Sequence, residues 1–295
     1  MIFRDLANGV EVLAPAKLNL FLEILGKRPD GYHEIETLMV AVNLQDRLTF
    51  TSDASGEITL RCDDPALPTG SDNLVMKAAL RLKEATVSPC GASIMLEKAI
   101  PAQAGLAGGS SDAAAALFAL DRLWELKSSA GLLEGLAGEI GSDVAFFFNT
   151  PAAVCRGRGE QVEALPIRQT WHFVLICPPI GLSTADVYRR LTPPERPRSI
   201  GPILEALAQD GPTALGGSLF NRLQPTAEAL CPALLGVKNA LAEIGPPLLD
   251  GHLMSGSGSA YFGLARDRTA ADEAARRLQT LGLGRVRVVT CGPLS

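Results

Sequence analysis

Along residues 17–25, "KLNLFLEIL", polar and apolar positions alternate. Leu18, Leu20, Leu22 and Ile24 fall on one side and Asn19, Phe21 and Glu23 on the other, which predicts a strand with one face in a core. "DRLTFTS" and "EITLRC" predict further strands, parted by the turn signal "DASG". Near Asp72 the period changes to that of a helix. Leu74, Val75, Ala78 and Leu82 share a face, and Ser71 or Asp72 stands where a cap belongs. "SDAAAALFALDRLWEL" predicts a strong helix from Asp112, with Ala113, Leu117, Leu120 and Trp124 in one stripe, and "AGLLEGLAGEIG" a shorter one. The polar, glycine-rich "RGRGEQVEALP" reads as a crossover between domains. Beyond it come a buried strand ("WHFVLICPP"), a short helix ("STADVYRRL"), a proline-rich loop ("RLTPPERPRSIGP") and helices through "ALLGVKNALAEIG". A strand pair around "HLMSGSGSAYFGLA", the helix "TAADEAARRLQTL" and the strand "RVRVVTC" complete the pattern. With no clean βαβ repeat, the expectation is two α+β domains, 1–160 and 161–295.

Composition narrows what such a protein does. The chain has 295 residues, 47% hydrophobic, 20% charged and 5% aromatic, with a net charge of −5. That balance argues against a nucleic-acid binder, which needs positive charge and stacking surfaces, but leaves room for a small anionic ligand. Cysteines 62, 90, 155, 177, 231 and 291 form no CxxC pair, and "MIFRDLANGVEVL" lacks the apolar core of a signal peptide. Reduced thiols in a cytoplasm are expected. No apolar run approaches the ~18 residues of a membrane span. His33, His172 and His252 lie far apart and without metal-ligand spacing, so a structural zinc site is not expected.

The candidate chemistry begins with "IPAQAGLAGGSSDAAAAL", where glycines and serines run straight into the strong helix. Glycines before a helix N-terminus let unpaired N–H groups approach an anion, so the loop suits phosphate. A tight packing loop or a linker is the other reading, and neither GxxxxGK[ST] nor a GxGxxG after a strand is present. A second cluster, "MSGSGSAYFG", is either a turn or a second nest on the same phosphates. Lys17 and Asn19 open a buried strand, and Asp143 precedes "VAFFF". Asp143 is either a helix cap, a role Ser142 would also fill, or a partner of Lys17 that receives the proton of an attacking hydroxyl.

"PAKLNLFL", "IPAQAGLAGGSSDAAAAL" and "SGSGSAYFGL" resemble, in order and rough position, the three motifs of the GHMP kinases, which include homoserine, mevalonate and galactose kinases. "LGKRPDGYHEIETLMVAVNLQDRL" and "GSDVAFFF" resemble the branch acting on a cytidine diphosphate-linked methylerythritol in the non-mevalonate isoprenoid pathway. The resemblance implies transfer of the γ-phosphoryl group of ATP, with Mg2+, to the 2-hydroxyl of that small molecule by a monomer or homodimer. It also implies a ribosomal-S5-like N-terminal domain and a ferredoxin-like C-terminal domain, with the active site in the cleft between them. Pro101, Ala104, Gly105, Leu106, Ala107, Gly108, Gly109, Ser110 and Ser111 would cradle the ATP phosphates, with Asn73 and Lys98 near the adenine. Asp143 and Lys17 would be catalytic. Asn19, Tyr32, His33, Ser183 and Thr184 would meet the acceptor, Tyr32 by stacking on cytosine and His33 by hydrogen bonds. On the residues alone, "GYH" is a polar turn with Tyr32 over a core edge, and Lys98 a solvated lysine on an edge strand.

The chain departs from the family pattern at Ala107, where glycine is usual, and at Ala145, where proline is usual. It departs again at Arg222 and Gln224, which replace acidic residues. A non-catalytic nucleotide binder on the same scaffold would be free to lose Asp143 and Lys17. A homoserine or mevalonate kinase would have no base for "GYHE" to stack upon.

Overall fold

The computed structural model describes residues 1–209 and 211–293. Its contacts group into two units. The first comprises Met1–Ala16, Leu44–Pro101 and Ala107–Thr150; the second comprises Lys17–Asn43, Ala102–Leu106 and the chain from Pro151.

In the first unit, β1 (Ile2–Leu6) folds back on the start of β2 (Gly9–Lys27), with Leu6 opposite Gly9. The two-residue turn is Ala7 and Asn8, with Gly9 already in the strand. The later part of β3 (His33–Asp53) runs antiparallel to β5 (Gly91–Glu97), and β5 lies parallel to β4 (Ile58–Cys62). Parallel neighbours need a crossover, and α1 (Leu74–Thr86) provides it. The cap of α1 is Asn73, not Ser71 or Asp72: its side chain accepts from the Val75 N–H and donates to the Pro68 carbonyl at 2.7 Å. Helix α2 (Gly108–Leu123) begins four residues earlier than the alanine run suggests, so the Gly-Gly-Ser-Ser segment is its first turn. Ala113–Leu117, Ala119 and Leu120 are all buried, because alanines let neighbours close in on several sides rather than along one stripe. Helix α3 (Ala130–Ile140) is capped by Ser129, and a single 3-10 turn follows at Ala145–Phe148.

In the second unit β2 is buried on both faces, from Lys17 to Ile24, where alternation had predicted one. The polar face is buried with its side chains paired: Lys17 bonds Asn19, and Glu23 bonds Arg222 and the Arg198 N–H. "RGRGEQVEALP" is no crossover. It contains the turn and second arm of a hairpin, β6 (Ala152–Gly157) with β7 (Gln161–Leu165), bent at Gly157 and Gly159 with φ of 72° and 121°. Strand β7 has an exposed face, so its charged positions hid the strand. Strand β6 in turn pairs with the start of β3.

From β8 (Trp171–Cys177) the chain passes through α4 (Thr184–Arg190), α5 (Gly201–Ala208) and α6 (Pro212–Ser218). The two-residue β9 (Phe220–Asn221), parallel to β2, then leads to α7 (Gln224–Leu230) and α8 (Leu234–Ile244). Strands β10 (Leu249–Met254) and β11 (Tyr261–Ala265), helix α9 (Arg268–Gln279) and β12 (Arg285–Cys291) complete it. The antiparallel sheet order β10-β11-β8-β12, with helices between β8 and β10 and between β11 and β12, is ferredoxin-like. Its helices bury Val237, Leu241, Ala271, Ala274 and Leu278 in one core with Val174, Ile176 and Tyr261 of the sheet. The α+β class stands as expected.

Candidate active site

A strand's period of two puts Lys17 and Asn19 on one face of β2. Both are only 3% exposed, and an ammonium so placed needs acceptors. Lys17 Nζ donates to Asn19 Oδ1 and, at 2.6 Å, to the Gly105 carbonyl, while the Lys17 N–H donates to Leu106 O. Asn19 Nδ2 donates to Thr37 Oγ1 at 2.9 Å, and Ser255 Oγ donates to Gly105 O at 3.0 Å. The start of the first glycine loop thus lies against the second nest. A methyl on Gly105 would sit 2.1 Å from Ser255 O, so that position has no room for a side chain; one on Gly256, where φ is +54°, would be a tight contact 3.0 Å from Lys17 Nζ. The Ala260 N–H donates to Ala104 O at 3.1 Å. Ser255, Ser257 and Ser259 are buried, and Thr184 Oγ1 lies 2.8 Å from Ser257 Oγ. Ser183 caps α4 by accepting from the Asp186 N–H.

Of the predicted residues, the second unit therefore gathers Lys17, Asn19, Ala104, Gly105, Leu106 and Thr184 with the Gly-Ser nest. Arg222 and Gln224 also find partners there. Arg222 is bidentate on the buried Glu23, at 2.7 Å for each bond, and Gln224 bonds Glu228 and the Met254 N–H. Burial pushes the Glu23 carboxyl up, but Arg222 and the N–H groups of Arg198 and Ile24 outweigh it and hold it below the usual range.

In the first unit the loop passes Pro101 and enters α2 through Ala107, whose φ of 55° and ψ of 34° are left-handed. An alanine adopts that conformation at a cost of about 1–2 kcal/mol, which a glycine would avoid. The N-cap residue Ala107 offers no side-chain bond to α2, so the helix start at Gly108, Gly109 and Ser110 has no side-chain cap from it. Ser111 Oγ is buried without a hydrogen-bond partner among the described residues.

Lys98 is neither solvated nor on the surface. Its ammonium lies between the carboxylates of Asp46 and Asp112, at 2.7 Å from the latter, and all three side chains are buried. Asp46 also accepts from the N–H groups of Ala99 and Ile100, at 2.6 and 2.8 Å, and so fixes the chain just before the loop. Sequence reading missed Asp46. Its signal was a lone carboxylate in the apolar run "VAVNLQDRLTF". Burial, opposed by Lys98 and reinforced by Asp46, pushes the Asp112 carboxyl up to about 7. Asn73 has both its amide oxygen and nitrogen committed to the backbone, as the cap of α1.

Asp143 is half-buried between α3 and the 3-10 turn; the capping position of that turn is Val144, with no side-chain bond, so the cap reading is not what the structure shows. In the second unit Tyr32 is 54% exposed rather than laid over a core edge, and the Arg158 guanidinium stands 5.1 Å from its ring centre. His33 lies 5.3 Å from the Tyr188 ring, and burial with Lys27 holds its imidazole below the usual value.

Gly105 and the Gly-Ser segment at 255–259 lie beside a buried lysine, in a chain similar to known kinases. Residues 73–157 match the GHMP kinases N terminal domain and residues 195–282 the GHMP kinases C terminal domain. The chain is 43% identical over 271 residues to a 4-diphosphocytidyl-2-C-methyl-D-erythritol kinase of Pelotomaculum thermopropionicum, covering 91% of this chain and 93% of the relative. It superposes on the crystal structure of a 4-(cytidine 5'-diphospho)-2C-methyl-D-erythritol kinase with a TM-score of 0.80 at 39% identity, over 96% of this chain and all of the other. Homoserine kinase from Cytophaga hutchinsonii shares the fold, with a TM-score of 0.77 at 22% identity over 99% of this chain and 97% of the other. The chain belongs to the GHMP kinases and, within them, to the 4-diphosphocytidyl-2-C-methyl-D-erythritol kinase family.

Two expected outcomes follow from this geometry. Ala107→Gly relieves the left-handed strain and raises the free energy of urea unfolding by about 1 kcal/mol; a loss of stability would show that the alanine methyl contributes more than its backbone costs. For Asp112 the folded value lies above the unfolded ~3.9, so the native state binds the extra proton and stability falls as pH climbs from about 4 to about 7. Asp112→Asn removes this term: its free energy of urea unfolding relative to wild type rises between pH 5 and pH 8, by on the order of 2 kcal/mol. A pH-independent difference would refute the titration.

Proposed function

We propose that the protein transfers the γ-phosphoryl group of ATP to the 2-hydroxyl of 4-diphosphocytidyl-2-C-methyl-D-erythritol. The observation that carries this is the Lys17 ammonium, buried and held by Asn19 and Gly105 between two glycine nests. The names of the relatives supply the acceptor. In the reaction the acceptor oxygen attacks the γ-phosphorus, the bond to the β–γ bridging oxygen breaks, and ADP leaves. The hydroxyl proton passes to Asp143. A loose transition state needs little early proton transfer, so Asp143 first orients the hydroxyl and receives the proton late. Lys17 offsets charge on the transferred group, and Asn19 holds the ammonium in place.

Pro101, Ala104, Gly105, Leu106, Ala107, Gly108, Gly109, Ser110 and Ser111 are proposed to cradle the phosphates. The uncapped first turn of α2 and the lack of room at Gly105 support that reading. Tyr32 would stack on cytosine and His33 bond its edge, with Ser183 and Thr184 on the acceptor side; the exposed Tyr32 ring fits this role. Asn73 and Lys98 are proposed to lie near the adenine; their bonds to protein groups use one Asn73 amide proton and two Lys98 ammonium protons. Mg2+ is proposed to accompany ATP, where it offsets charge on the β- and γ-phosphates. Among the described residues no three His, Cys, Asp or Glu gather as ligands, so phosphate oxygens and water would supply most of its shell, as suits this ion. Ser111 Oγ is the chain's own candidate ligand. A division into domains near residue 160 is supported by the two family matches, which fall on either side of it. Cytoplasmic location and a monomeric or homodimeric state belong to the same proposal; among the described residues no helix is long and apolar enough to cross a membrane.

A phosphorylation assay offering the cytidylated methylerythritol, homoserine and mevalonate tests the reading, and transfer only to one of the latter two would overturn it. Asp143→Ala is expected to lower kcat by about 100-fold or more while ATP still binds. Tyr32→Ala is expected to raise KM for the cytidylated acceptor by roughly 10-fold and leave KM for ATP unchanged; equal effects on both would remove the cytosine role.

A further inference from the structure

Asn221 makes bonds that the reaction described above does not use. Its Nδ2 donates to Met254 O at 2.8 Å and to Gly256 O at 2.7 Å, and its Oδ1 accepts from the Leu223 N–H at 2.9 Å. Both amide protons are spent on the second glycine nest, by a residue only 4% exposed. Three residues on, Gln224 Oε1 accepts from the Met254 N–H at 3.1 Å, so the Met254 backbone is gripped at both its N–H and its carbonyl.

The gripping strand is itself fastened to β2. Leu22 stands opposite Asn221, the Arg222 N–H donates to Leu22 O at 2.8 Å, and the Arg222 guanidinium closes on Glu23. Lys17 lies on the same face of β2 as Glu23. The contacts thus form a ring: β2, Glu23, Arg222, Asn221, Gly256, and back to β2 at Lys17. At the last step Gly256 is a wall. A methyl there would stand 3.0 Å from Lys17 Nζ and 3.3 Å from Asn19 Oδ1. Releasing the Gly256 carbonyl frees that peptide to rotate, and the wall beside the ammonium goes with it.

We propose that Asn221 is a positioning residue for the phosphoryl-transfer site, fixing the Gly256 backbone that confines the Lys17 ammonium. This rests on the reading of Lys17 as the catalytic cation. Asn221 touches no reacting atom; it acts through Gly256.

The test uses the full chain carrying Asn221→Ala, with Asn221→Ser as a milder variant that keeps one donor should the first fail to fold. Either variant is expected to lower kcat, by about 10- to 100-fold for Ala and less for Ser, with KM for ATP within about 3-fold. In a Lys17→Ala background the same substitution is expected to lower kcat no further. Full, independent losses in that background would overturn the proposal, since a merely stabilising residue multiplies its effect whatever stands at position 17. A second readout needs no turnover: acetylation of individual lysines by acetic anhydride, followed by mass spectrometry. Lys17 is expected to label at least about 5-fold faster in the variant, with Lys98, buried in the other unit, unchanged. Unchanged labelling of Lys17, or equal acceleration of both lysines, would refute the positioning role. If the wild-type chain phosphorylates another acceptor, or none, the functional reading falls while the labelling still decides the role of Asn221.

Discussion

A buried ammonium is intolerable without acceptors, and much of the second unit satisfies that one requirement. Lys17 draws the Gly105 carbonyl and the Asn19 amide to itself, Asn19 draws Thr37 and Ser255, and Ser255 returns to Gly105. Each link uses a group that would otherwise be stranded in an apolar interior. The polar face of β2 is buried for this reason, against the usual expectation for an alternating strand. A partly satisfied network of this kind would be worse than an apolar core, which makes the geometry around the lysine stiff.

The first unit solves a similar problem with the opposite sign. Asp46 and Asp112 share one ammonium, so the cluster carries more negative charge than positive if both carboxylates ionise. Burial then resists the second ionisation, and the proton that results sits at the root of α2. Asp46, by taking the Ala99 and Ile100 N–H groups as well, ties the entry of the glycine loop to the strand that carries it.

How much of this was legible in the sequence depended on the range of each interaction. The strands β2, β8 and β12 and the helices α1 and α9 follow local periodicity and were readable. The cap of α1 was not: Ser71, Asp72 and Asn73 are all competent caps, and the Pro68 carbonyl that favours Asn73 is a matter of loop geometry. The start of α2 was obscured because glycine is a poor helix former, and packing overrides that preference here. The hairpin of β6 and β7 was hidden by charges on its exposed face. The alternative of a solvated Lys98 fails because its partners lie 52 and 14 residues away, beyond any local pattern. The glycine motifs, by contrast, carried the resemblance to the GHMP kinases, which the two family matches bear out. Asn221, Gln224 and Glu23 carried no local sign of the bonds they make to Met254 and Arg222, since those partners lie far away in sequence.

Gly105 and Ser255 lie 150 positions apart, yet the α-carbon of one is pressed against the carbonyl of the other with no space for a single methyl. Neither loop is therefore free to drift alone over evolutionary time. An insertion, a chiral residue or a change of backbone path in one demands a matching change in the other, and a chimera that joins the halves of two distant relatives would fail first at this seam.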